Sequence, residues 1–271
     1  MAAPHSKRNP EKPLASPVPA VERTIAILRL LENSSDPASC TVSGISRALG
    51  MNKSTCSNTL RTLESHGFIE YDTTSRTYWL GAGLIGLSIK ARHRTFPSVG
   101  ATHMRALVRK TGFTCVAFEQ LPNGEFVIVD KVDSQKDIKI TIDVGQHFPP
   151  AAPVFARIAL AWSSPAEVES FIAQNNLQRF TRTTKTDPDG LRADLRQIRR
   201  DGYSISVGEY YLANTAIAAP VFSVQRDACR GVCMIGFTSE ISEDRLTQYA
   251  QAVADTGHAI TQAMSESLRV R

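Results

Sequence analysis

One short stretch carries residues of the types and spacing needed to grip a polyanion. Lys53, Ser54, Thr55, Ser57, Asn58 and Arg61 fall within a single helix-length window, and Arg76 follows on a polar turn. Lys53, Ser57 and Arg61 stand at i, i+4 and i+8, with Ser54 and Asn58 beside them. On a helix these positions form one continuous ridge. The ridge holds no acid until Glu64. The chemistry available to it is non-covalent: cationic and hydroxyl donors for phosphate oxygens, and amide and guanidinium groups for base edges. On the other face Cys56, Leu60 and Leu63 recur at four and three, a stripe that must be buried. An ordinary helical hairpin with a solvated polar face would share this pattern. The surrounding elements and the charge distribution separate the two readings.

Those elements have to place the ridge. Ile45 and Leu49 give the preceding helix one apolar face, Gly50 ends it, and Asn52 is suited to cap the next helix. Gly67 ends that helix in turn. Phe68–Tyr71 and Thr77–Leu80 read as two strands around a polar turn ending in Arg76. Upstream, Val21, Ile25, Leu28 and Leu31 recur at four, three and three, which predicts a first helix ending near Asn33, also a candidate seam between subunits. Together these make a winged helix-turn-helix, a shape that puts one helix into the major groove. Arg76 on the wing is then placed for the backbone or the minor groove.

The charge distribution agrees. The chain has 271 residues and a net charge of +5. Through residue 95 there are 12 Lys and Arg against 7 Asp and Glu; from residue 96 on there are 19 against 19. The whole surplus lies with the candidate DNA reader, as expected when only one part meets a polyanion. At 42% hydrophobic and 21% charged residues the composition is that of a soluble globular protein. No apolar run approaches the roughly 20 residues of a membrane span. Prolines interrupt the N-terminal segment, which has no signal-peptide core. Five cysteines (40, 56, 115, 229 and 233) lack metal-site spacing and fit reduced thiols in a cytoplasm.

The predicted organisation has four parts. Residues 1–19 are a disordered arm, in which Lys7, Arg8 and Lys12 read as a solvated tail, with phosphate contact the alternative. Residues 20–81 are the winged helix-turn-helix, 82–96 a linker helix, and 97–271 a second domain. Gly81-Ala-Gly-Leu-Ile-Gly86 matches the dinucleotide fingerprint G-x-G-x-x-G. That fingerprint also needs an acid about 20 residues on. Residues 96–118 contain none, so the segment reads as a linker helix with Leu84, Leu87 and Ala91 toward a partner. In the second domain, strands are expected at Phe113–Gln120, Glu125–Val132, Ile138–Val144, Ser204–Val207, Ala216–Val224 and Gly231–Phe237. Helical patterns lie between them and along the C-terminus. Strands interrupted by helical inserts predict an α+β domain around an antiparallel sheet.

Gly202, Ser206, Glu209, Ala216, Ile217, Ala218, Val221 and Phe222 fit a family signature at fixed spacing, with Ser223 departing at its last position. Gly145–Ala161 fits a second family pattern, with Ala156-Arg157 in place of the usual Gly-Lys or Gly-Arg step. By these motifs the chain resembles the IclR-family transcriptional regulators from about Val21 onward. The resemblance implies an α+β protein: an N-terminal winged helix-turn-helix, a linker helix, and a C-terminal GAF-like effector domain with a central antiparallel sheet. It implies a homodimer or homotetramer that binds an operator in double-stranded DNA and regulates a catabolic operon in response to a small organic acid. Repression relieved by the ligand is the commoner pattern, and activation is the alternative. No cofactor is implied.

The resemblance also places the effector between the sheet and the loop-helix segment after the third strand. By position the candidates are Val154, Phe155, Ser206, Glu209, Ala216, Met234 and Gly236. Several relatives carry a Cys near position 216 and hydroxyl residues near 234 and 236. Here those positions hold Ala, Met and Gly, and Phe155 adds a ring, so an aromatic acid is expected in place of a two- or three-carbon keto acid. Enzymatic readings fare worse. Gly202-x-Ser204-x-Ser206 fails the G-x-S-x-G nucleophile elbow at its last position. The six histidines show no metal-ligand spacing. Cys229-x-x-x-Cys233 stands as a candidate redox pair, against the plainer reading of two small residues near a buried strand.

Overall fold

A computed structural model describes residues 18–34, 36–95, 98–175, 177–222 and 230–269. The chain divides into two compact units between Ala91 and Arg92. The first contains α1 (Pro19–Asn33), α2 (Val42–Ala48), α3 (Lys53–Ser65) and a hairpin of β1 (Ile69–Asp72) and β2 (Thr77–Leu80). Helix α4 (Gly83–Thr95) follows. The proposed arm lies outside the described residues, apart from its last two positions.

Local chemistry sets each boundary. Thr41 Oγ1 accepts from Gly44 N at 3.0 Å and caps α2; Asn52 Oδ1 accepts from Ser54 N at 2.9 Å and caps α3. Between the two helices, Ser46 Oγ donates to Met51 O at 2.7 Å and locks the turn. Gly50 and Gly67 have φ of 60° and 69°, left-handed values that strain any residue with a Cβ. The core beneath is Ile27, Leu31, Cys40, Ile45, Cys56, Leu60, Leu63, Ile69 and Tyr78. On helix α1, Ile27 and Leu31 are buried, whereas Val21 and Ile25 are about half exposed. Apolar residues cover more than one face of α1, so spacing alone admits two stripes.

The G-x-G-x-x-G segment has a packing explanation. A Cβ on Gly81 or Gly83 would come within 2.4 or 2.7 Å of the Gly67 carbonyl oxygen, to which Gly83 N itself donates at 2.9 Å. These glycines let the chain leave the hairpin tight against the end of α3.

The second unit is built on a six-stranded antiparallel sheet. In chain order it contains α5 (Ser98–Thr111), β3 (Thr114–Gln120), β4 (Phe126–Val132), β5 (His147–Phe148), α6 (Pro153–Ala161), α7 (Pro165–Asn175), α8 (Pro188–Asp201), β6 (Ser204–Val207), β7 (Asn214–Val221), β8 (Arg230–Phe237) and α9 (Glu243–Arg269). The sheet order is β5-β4-β3-β8-β7-β6. One face packs on α5 and α9 through Met104, Leu107, Ile217, Val232, Met234, Val253 and Ile260. The opposite face packs on α6, α7 and α8 through Phe118, Phe126, Phe155, Ile158, Leu195, Cys233 and Ile235.

The expected strand at Ile138–Val144 is absent. That stretch is irregular and crosses the second face: Ile140 and Ile142 pack on the core, whereas Ile138 and Val144 are exposed. Its alternating apolar residues mimic a strand. Pairing with β4 begins only where Ile128 N donates to Gln146 O and Gly145 N to Ile128 O.

Candidate functional site

The first site is the outer face of α3. Lys53, Ser54, Asn58 and Arg61 are exposed there, and Thr55 and Ser57 are half-buried beside them. Cys56, Leu60 and Leu63 anchor the inner face, and burial raises the Cys56 thiol pKa. Ser54 Oγ donates to the capping Asn52 at 2.8 Å, so this hydroxyl stiffens the helix start. Arg76 is exposed on the wing with φ of 57°. Asp72 shapes that turn, accepting from Thr74 N at 2.8 Å and Ser75 Oγ at 2.6 Å. The Ser75 hydroxyl, then the Thr74 N–H, hold the Asp72 carboxyl below its ordinary pKa. The sequence reading passed over Arg47, exposed in the last turn of α2. Its signal was a lone basic residue just before the helix-turn-helix turn.

The second site is a cavity of about 220 Å³ on the second face of the six-stranded sheet. The irregular stretch supplies Ile140, Thr141 and Ile142, and the start of α6 supplies Val154 and Phe155. The sheet contributes Phe148, Ser206, Asn214, Ala216 and Ile235, and the turn after β6 contributes Tyr210 and Tyr211. Among the described residues, no charged side chain lines it. Four of the lining residues are aromatic, Phe148, Phe155, Tyr210 and Tyr211. Phe155 packs on Phe148 and, behind the wall, on Phe118 and Phe126, at ring separations of 5.1, 4.5 and 5.6 Å, and Phe148 packs on Tyr210 at 5.6 Å.

The polar side chains in the lining are Thr141, Gln146, Ser206, Tyr210, Tyr211 and Asn214. Pro153 occupies the first turn of α6, and no side chain caps that end. The N–H groups of Val154 and Phe155 therefore have no intrahelical acceptor and carry the positive end of the helix dipole. The Ser206 hydroxyl and the Asn214 amide add hydrogen-bonding capacity. Burial, and then the neighbouring Tyr211, raise the Tyr210 pKa, so this phenol is a donor at neutral pH.

Of the seven effector candidates, Val154, Phe155, Ser206 and Ala216 line this cavity. Three do not. Met234 is fully buried on the opposite face, against α5 and α9. Gly236 shares that face, where a Cβ would meet the Phe113 ring at 2.4 Å. The cavity-side residue between them is Ile235, since a one-residue slip in a strand exchanges faces. Glu209 points away into a buried ion pair, with Arg157 Nη1 at 2.7 Å from Oε1 and Nη2 at 2.5 Å from Oε2. Ser204 and Ser206 lie on strand β6 and not on a strand-to-helix elbow. Of the redox pair, Cys229 lies outside the described residues, as does Ser223, the departing position of the signature. Cys233 is fully buried, and burial pushes its thiol pKa well up, which disfavours the reactive thiolate.

Among the described residues, no helix is long and apolar enough to cross a membrane.

Comparison with known proteins now bears on both sites. The model of the IclR helix-turn-helix domain matches residues 20–73, and that of the bacterial transcriptional regulator IclR C-terminal domain matches 93–262. The HTH-type transcriptional repressor AllR of Escherichia coli K12 is 29% identical over 247 residues, 90% of each chain. The crystal structure of an IclR-type regulator from Alicyclobacillus acidocaldarius superposes with a TM-score of 0.81 at 27% identity, covering 92% of this chain and 100% of that one. An IclR homolog from Microbacterium hydrocarbonoxydans, complexed with 4-hydroxybenzoate, superposes with a TM-score of 0.76 at 18% identity, covering 91% and 99%. With both of its halves matched and the winged helix and cavity in place, the chain belongs to the IclR family of transcriptional regulators.

Proposed function

We propose that this regulator is a cytoplasmic repressor of a catabolic operon, released from its operator when an aromatic monocarboxylic acid fills the effector cavity. The observation that carries the effector reading is the cavity lining: four aromatic rings among aliphatic residues, no charged side chain among the described residues, and the free N–H groups at the start of α6. One carboxylate fits those N–H groups and the Ser206 hydroxyl. A second carboxylate would find no cation among the described lining residues, Lys131 standing behind Thr141, which argues against diacids. The volume of about 220 Å³ is below the range of drug-sized pockets and equals about seven water volumes. A flat ring buries these walls; a two-carbon acid leaves them wet. The Microbacterium homolog is consistent with the fold accepting such an acid, although at 18% identity it says nothing of this lining. Calorimetry against benzoates, glyoxylate and pyruvate tests the reading. Binding of a benzoate supports it; binding of the keto acids alone overturns it.

For DNA, the proposal puts Lys53, Ser54, Thr55, Ser57, Asn58 and Arg61 in the major groove and Arg76 on the wing against backbone or minor groove. Repression follows AllR, which is named a repressor. The operator is expected to be read by an oligomer, since one helix reads only a few base pairs and half-sites repeat by the helical turn. Exposed apolar residues support a seam on α1 (Val18, Val21, Ile25) and the linker α4 (Ile85, Leu87, Ile89). Sedimentation of wild type and Leu87→Glu checks this: the variant should shift toward monomer.

A further inference from the structure

Arg157 and Glu209 are both nearly inaccessible, at 6% and 5% side-chain exposure, beside the apolar layer under α6; Arg157 also donates to Ile205 O at 3.3 Å and stands 3.7 Å from Asp194. Burying two charges is expensive, and such a pair is a weak source of stability against well-packed apolar residues. Its placement gives it another use. Arg157 lies on α6 two residues after Phe155, a cavity wall. Glu209 immediately precedes Tyr210 and Tyr211, which line the cavity on another side. The two-point pairing therefore ties one wall to the other. The same turn is held from behind by the segment before α8. Thr181 and Thr183 hydroxyls each donate to Gly208 O at 2.7 Å, Thr184 Oγ1 donates to Glu209 O at 2.7 Å, and Lys185 N to Glu209 Oε2 at 3.1 Å. The Phe180 ring packs on Tyr210 at 4.7 Å.

We propose that the Arg157–Glu209 pair is a positioning device: it sets the place of Tyr210 in the cavity wall and so tunes effector affinity without touching the effector. The affinity half rests on the cavity being the effector site; the positioning half does not. The test uses the full chain labelled with 3-fluorotyrosine, in which Tyr210→Phe assigns the Tyr210 resonance. Glu209→Gln leaves the buried Arg157 with only the Asp194 carboxylate, 3.7 Å from its Nε, and risks unfolding. The double variant Arg157→Met, Glu209→Leu removes both charges and is the folded counterpart. In that variant, melting near wild type, the ligand-free Tyr210 fluorine resonance is expected to shift and broaden and benzoate binding to weaken by about tenfold. An unmoved resonance in the folded double variant overturns the positioning claim. A moved resonance with unchanged benzoate affinity overturns the affinity claim. If wild type binds no aromatic acid, the effector reading falls, and the ligand-free resonance still decides the positioning claim.

Discussion

Phe155→Ala is the sharpest test of how the cavity is built. Phe155 is 3% exposed and touches Phe118, Phe126 and Phe148, so it is both a cavity wall and part of the core. Truncating a buried Phe costs about 3–5 kcal/mol, and each aromatic pair adds about 0.5–1.5 kcal/mol beyond area burial. The site already borders empty space, which places the expected loss near the low end, about 3 kcal/mol. The protein has two units, so the unfolding probe must be local. Its two tryptophans are Trp79 and Trp162, one in each unit. In a Trp79→Phe background, Trp162 fluorescence follows the C-terminal unit alone in urea. With a slope of about 1–3 kcal/mol per molar, the midpoint should fall by about 1–3 M. Phe155→Leu should lose much less. A Phe155→Ala midpoint within error of wild type would refute the placement of this ring in the core.

Three further outcomes are expected. Arg61→Ala should weaken specific DNA binding by about 1–3 kcal/mol if it reads a guanine, whereas Arg76→Ala should weaken all sequences alike and flatten the salt dependence; anisotropy titrations at several salt concentrations separate the two. Asn52→Ala removes the α3 cap and should cost the DNA-binding unit about 0.5–2 kcal/mol, read as a lower melting temperature with Trp79 as the probe. Burial raises the pKa of the Cys115 and Cys233 thiols, so the folded chain holds protons that the unfolded chain releases above about pH 8.5. Their contribution is fully present below that pH and is lost as pH rises, by roughly 1.4 kcal/mol per pH unit per thiol; Cys115→Ala, Cys233→Ala should flatten the alkaline fall in urea midpoint.

The DNA-reading helix was legible because its two faces differ in chemistry: Cys56, Leu60 and Leu63 against Lys53, Ser57 and Arg61. The cap at Asn52 and the turns at Gly50 and Gly67 have local causes and were legible for the same reason. Strand β8 was not. It runs Arg-Gly-Val-Cys-Met-Ile-Gly-Phe, buried on both faces, so no alternation marks which side meets the cavity. The reading put Met234 and Gly236 there, and the structure puts Ile235. The Ile138–Val144 stretch erred the other way, since alternating apolar residues suit a strand as well as an irregular wall. Tyr210 and Phe148 were missed because the cavity assembles from segments far apart in sequence. Glu209 stood out in the family signature, yet nothing near it in sequence announces its partner, Arg157, 52 residues away.

The most direct measurement is a fluorescence anisotropy titration of the full chain on DNA from upstream of its own gene, at fixed salt, with and without a saturating benzoate. The account predicts specific binding that the Lys53→Ala, Arg61→Ala double variant loses, and that the benzoate weakens in wild type. Wild-type binding by the double variant would contradict the DNA-reading face, and binding untouched by every aromatic acid but altered by glyoxylate or pyruvate would contradict the cavity reading.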